Sequence, residues 1–172
     1  MNKEKENGLL WTRTILELYN KLPKMAKAFE KASNVLVDSS LITGMYGNGH
    51  TTEELYEKMI DLNYRKTGII NLKALTDMGL KRIEPSLVNV LTGRFFLKLD
   101  NATIAEKEKI SMRTVFRKID RGIEKLCDTF ASLGFTAKRL DIEYADEPLI
   151  LREKRRVQEK ILQEKESYSK SS

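Results

Sequence analysis

Arg113, Arg117, Lys118 and Arg121 fall within one short run, SMRTVFRKIDRGIEKL, and between them Val115, Ile119, Ile123 and Leu126 recur at helical spacing. Arginine is planar, always charged and able to donate two parallel hydrogen bonds, so a row of arginines suits phosphate or a guanine edge rather than proton transfer. The apolar positions require one side of the helix to be buried, which leaves the cations on the other. A helix divided in this way is what a DNA major groove accommodates. Ser111 stands ahead of it, where its hydroxyl can accept from the first-turn amides.

Other chemistry lacks its parts. Cys127 is the only cysteine, which removes disulfide frameworks and thiolate metal clusters, and His50 is the only histidine, which removes His-based zinc sites and Ser-His-Asp triads. Gly44, Gly47 and Gly49 cluster without the Lys-Ser/Thr ending of a phosphate loop, so residues 35–50 are expected to form a loop, with His50 in it or at a helix cap. Glu53, Glu54, Glu57 and Asp61 read as a solvated helix face. No enzyme activity, cofactor or metal is expected.

The elements that must position the cations follow from the rest of the 172 residues. A content of 41% hydrophobic and 33% charged residues fits a globular chain, and no apolar run approaches the roughly 18 to 20 residues that cross a bilayer. The first residues lack the pattern of a signal peptide, so the expectation is a cytoplasmic protein with no membrane partner. Of the net charge of +6, residues 80–135 contribute most, with 11 basic against 7 acidic side chains, whereas residues 1–79 carry 11 against 10 and residues 136–172 carry 9 against 8. The excess gathers around the basic helix, as a polyanion partner requires.

Apolar periodicity predicts helices nearly throughout. Leu10, Ile15, Leu18, Tyr19 and Leu22 form one stripe, Pro23 forces a kink or a restart, and Met25, Ala26, Phe29 and Ala32 form a second. A Thr51 to Glu54 capping box starts another helix, with a joint expected at Gly68. Glu84-Pro85 starts a platform helix whose apolar side repeats Leu87, Val90, Leu91, Phe95 and Leu99. Beyond Gly134, Thr136 caps a short helix, and after Pro148 comes a charged one in which Arg152, Lys154, Arg155 and Arg156 are largely offset by Glu153, Glu159 and Glu164. The fold class is all-α, divided as residues 1–79, 80–135 and 136–172: a helical N-terminal region, a helix-turn-helix and a C-terminal extension.

From Ile83 onward, IEPSLVNVLTGRFFLKLDNATIAEKEKISMRTVFRKIDRGIEKL resembles region four of bacterial sigma factors. The features that match are the proline-started helix with Val90-Leu91 and Arg94-Phe95-Phe96, the N-cap at Asp100 before Ile104-Ala105-Glu106, the Ile110-Ser111 and Thr114-Val115 entry to the second helix, and the closing Glu124-Lys125-Leu126. The resemblance covers about a third of the chain. It implies a helix-turn-helix of the winged-helix-like superfamily with a core of Ile104, Ala105, Ile110, Val115 and Ile119. It also implies base contacts from Met112, Arg113 and Arg117, and phosphate contacts from Ser111, Thr114, Lys118 and Arg121. An arginine paired to guanine supplies about 1 to 3 kcal/mol of discrimination.

Two departures stand out. The family's turn reads Leu-Gly where this chain has Glu108-Lys109, and it commonly has an acidic residue and glycine where this chain has Leu97-Lys98. A left-handed Lys109 would cost on the order of 1 kcal/mol that glycine does not. No promoter-melting cluster of aromatics occurs in the first half, so the chain looks more like the small region-four-like regulators of phages and mobile elements. The expected partner is double-stranded DNA, with the protein acting either alone or by docking on RNA polymerase. A homodimer is the alternative use of the N-terminal stripes. A phage packaging or replication protein and an anti-sigma-like decoy that has lost DNA contacts are the competing functions.

Overall fold

The computed structural model describes the backbone of residues 3–46 and 51–170, and every regular element among them is helical. The elements are α1 Lys3–Leu18, α2 Leu22–Tyr46, α3 Thr52–Leu80, α4 Pro85–Leu91, α5 Asn101–Glu108, α6 Met112–Ser132, α7 Ala137–Glu143 and α8 Pro148–Lys170. The all-α reading holds. A single 3-10 turn, Tyr19–Lys21, separates α1 from α2 just ahead of Pro23.

The structure corrects three local expectations. Residues 35–46 continue α2 instead of forming a loop; the inward stripe of Met25, Phe29, Ser33 and Leu36 supports the start of this stretch, and Val37, Asp38, Ser39 and Leu41 beyond it are exposed. Gly47, Gly49 and His50 lie outside the described residues. Gly68 is no joint: α3 runs through it, since buried Ile69 and Leu72 on the next turn hold the helix at a cost of about 1 kcal/mol for the glycine. The platform helix stops at Leu91 and passes into one wide turn, Thr92–Phe96, before the extended N-cap at Asp100.

The chain packs as two compact units, residues 1–19 with 75–172, and residues 20–74. This division differs from 1–79, 80–135 and 136–172, because α1 packs against α6, α7 and α8. Trp11, Ile15 and Leu16 of α1 are fully buried there. The Trp11 ring lies 6.1 Å from that of Tyr144, and its Nε1 donates to Asp141 at 2.7 Å. Tyr19 stacks on Phe96 at 4.1 Å and donates its hydroxyl to Asp77. In the second unit α2 and α3 lie side by side, joined by the Lys66 to Glu30 ion pair at 3.4 Å and by Arg65 over the Phe29 ring.

Candidate nucleic-acid interface

Both helices of the central pair are capped by side chains. Asp100 accepts from the Thr103 amide at 2.7 Å, and this bond holds its carboxyl below the usual carboxylate range. Ser111 accepts from the Thr114 amide at 3.2 Å. Between them α5 ends at Lys109, which is left-handed (φ 54°, ψ 45°), and the chain turns into α6 within residues 109–111. The Ile110 amide closes this turn on the Ala105 carbonyl at 3.0 Å.

The apolar residues expected to hold the pair together are inside: Ile104, Ala105, Val115 and Ile119 are buried, and Ile110 is half-buried. Gly122, which periodicity alone did not single out, lets α6 approach α4, since a Cβ there would sit 3.1 Å from Leu91. Gly93 does the same for α5: a Cβ there would meet Ile104 at 3.2 Å. Spacing cannot reveal which helix crosses at a glycine, and the only signal was glycine inside an apolar pattern.

With that side of α6 buried, Arg113, Arg117 and Arg121 stand exposed on the other, one turn apart, so the row rises about 6 Å per step. A shallow groove of about 560 Å³ runs along it, lined by Arg113, Thr114, Arg117, Asp120, Arg121 and Glu124. The two carboxylates fall at the C-terminal end. Asp120 takes the Arg13 guanidinium at 3.1 Å, and Arg121 is turned to Glu84 at 3.2 Å. The cationic character is therefore concentrated at Arg113 and Arg117, in the first two turns, where the aligned helix amides also favour an anion. Met112 is exposed beside them, Ser111 is exposed at the cap, and Thr114 and Lys118 are half-buried. Phe116, 45% exposed on α6 and absent from the expected contacts, adds an apolar edge next to Met112.

The α8 cations are differently placed. Lys154 is bound to Asp141 at 2.6 Å and lies over the Trp11 ring at 4.3 Å, and Arg156 pairs with Glu153 at 2.8 Å. Arg152 and Arg155 are exposed. Cys127 is half-buried, and burial pushes its thiol above the usual value, which makes it a poor nucleophile near neutral pH. Among the described residues no helix is long and apolar enough to cross a membrane.

No protein-family model, curated protein or solved structure matches the chain.

Proposed function

We propose that this protein is a sequence-specific DNA-binding transcription regulator of the sigma-region-four kind, which lays α6 in the major groove. The observation that carries the reading is the exposed row Arg113, Arg117 and Arg121 on a capped helix whose opposite side is buried. Arg113 and Arg117, with Met112, reach base edges. Ser111, Thr114, Lys118 and Arg121 hold phosphates, which fix register without reading sequence.

The resemblance to region four gains support from backbone conformation. Lys98 and Lys109 occupy the two places where the family pattern has glycine, and both adopt positive φ (54° in each case). Positive φ is the conformation that glycine adopts without steric cost, so its occurrence at both places supports the resemblance. RNA polymerase is the second partner this reading implies, and action on cellular DNA implies a cytoplasmic protein that binds rather than catalyses.

The test is genome-wide recovery of bound DNA with co-purifying proteins scored for polymerase subunits, followed by binding titrations on the recovered sites. Arg113→Ala with Arg117→Ala should abolish site-specific binding at unchanged helical content. A purified protein without salt-dependent affinity for any duplex sinks the proposal. A variant that keeps its polymerase contact and cellular effect without the two arginines identifies a decoy instead.

A further inference from the structure

Beside the arginine row, α6 presents a second row to solvent. In its first turns Met112, Arg113, Phe116, Arg117 and Asp120 are exposed, while Val115 and Ile119 are buried and Thr114 and Lys118 are half-buried. Met112, Phe116 and Asp120 stand one turn apart, each immediately before an arginine of the other row. Asp120 is neutralised by Arg13 at 3.1 Å. What the second row offers in the first two turns is therefore apolar: Met112, 43% exposed, and Phe116, 45% exposed.

A single exposed apolar side chain is ordinary, but these two adjoin on one helix face and are set among cations. Packing within the chain does not account for Phe116, which shares a cleft of about 460 Å³ with Val157 and Ile161 of α8 and still remains 45% exposed. Neither side chain can donate to a base edge, since a phenyl ring has no polar atom and a thioether is a weak acceptor at most. Of the groups that a major groove displays, the C5 methyl of thymine is the apolar one. From Met112 to Arg117 the helix rises about 8 Å, roughly two base-pair steps, so both rows address the same short run of bases.

We propose that Phe116 and Met112 are specificity-determining residues that read thymine methyl groups, so that the target sites of this chain combine guanines, read by Arg113 and Arg117, with thymines in the same few steps. The inference rests on the DNA-binding reading above and extends it to the chemistry of the site that is bound. The polar row selects by hydrogen bonds, and the apolar row selects by burying a methyl group that no other base presents in that groove.

The test titrates the full native chain on duplexes carrying the DNA sites recovered from cells. Each thymine is replaced in turn by deoxyuridine, which keeps every hydrogen-bonding group of the base and removes only the methyl. At one or two thymines the affinity should fall about fourfold, the worth of one buried methyl group. At those positions F116A or M112A, with helical circular dichroism unchanged, should bind the thymine and deoxyuridine duplexes equally. A native chain that binds its sites specifically yet tolerates deoxyuridine at every position overturns this proposal and leaves the DNA reading standing, as do sites with no thymine near their guanines. Folded variants that still discriminate overturn the assignment to Phe116 and Met112. A native chain without salt-dependent affinity for any duplex defeats the DNA reading itself, and this proposal with it.

Discussion

Arg121 donates to the Glu84 carboxylate at 3.2 Å, tying the third arginine of the α6 row to the N-cap residue of α4. Both side chains are more than half exposed, so the pair contributes less than about 1 kcal/mol to stability and is readily exchanged for a phosphate. Glu84 makes no side-chain cap bond to α4, and its replacement removes nothing else from that helix end. Glu84→Gln should therefore leave the unfolding midpoint nearly unchanged. On the proposed DNA reading, Arg121 already reaches a phosphate in the native complex, so Glu84→Gln should leave the salt dependence of binding nearly unchanged, whereas Arg121→Ala should lower it by about one phosphate contact. Titrations across a salt series measure the slope, and a slope unchanged in Arg121→Ala places Arg121 off the phosphates.

Lys109 and Lys98 share the left-handed conformation but differ in what their side chains hold. Lys109 is an exposed turn residue, so Lys109→Gly should stabilise the protein by about 1 kcal/mol, the steric cost of a Cβ in that region. Lys98 pairs with Glu17. Burial opposes ionisation of Glu17, but Lys98, assisted by Lys160 and Arg156, keeps its carboxyl below the usual range. Lys98→Gly removes that partner while relieving the strain, so it should give no net gain. Denaturant unfolding of the two variants makes the comparison directly. Equal gains from both would mean that the Glu17 contact contributes nothing.

Features that depend on neighbours in sequence were legible. The Thr51 to Glu54 box forms in both directions, at 3.0 and 3.2 Å, and Asp100, Ser111 and Thr136 all cap the helices they precede. The buried side of α6 follows Val115, Ile119, Ile123 and Leu126 as the spacing requires. Long-range pairing was not legible. That Asp120 would meet Arg13, or that Arg121 would meet Glu84, depends on helices brought together from distant parts of the chain. The extension of α2 to Tyr46 was missed because glycine and β-branched residues are only weak local signals against helix, and a helix already running from Leu22 can continue through them.

Asp141 gathers three donors, Lys154 at 2.6 Å and Trp11 and Asn7 each at 2.7 Å, and so links α1, α7 and α8. Burial pushes its pKa up, but the bonds from Lys154, Trp11 and Asn7 more than offset this and leave it below the ordinary aspartate value. A folded pKa below the unfolded one means that the carboxylate contributes stability above the unfolded value of about 4, and that this is lost as pH falls through the folded pKa. Asp141→Asn should cost about 1 to 2 kcal/mol near neutral pH, after allowance for solvent screening at a side chain 43% exposed. The difference from native protein should shrink on acidification below about pH 4. Unfolding curves at neutral and acid pH decide it, and a difference independent of pH would assign the loss to packing.

Gly79 and Gly122 present opposite outcomes for the same substitution. Each lies within a helix, where alanine is favoured by about 1 kcal/mol on propensity alone. At Gly79 a Cβ would fall 2.7 Å from both Leu126 Cδ1 and the Phe130 ring, two buried groups on α6 that cannot both retreat. Gly79→Ala should therefore destabilise the protein by about 1 to 3 kcal/mol, as overpacking does. At Gly122 the nearest atoms all belong to Leu91, at 3.1 to 3.3 Å, so a shift of a few tenths of an ångström by one side chain admits the methyl group. There the propensity gain and the packing cost nearly cancel, and Gly122→Ala should lie within about 1 kcal/mol of native. Thermal unfolding of both variants tests the pair: a large loss at Gly122 would mean that Leu91 is held rigidly and that α4 and α6 are locked at their crossing.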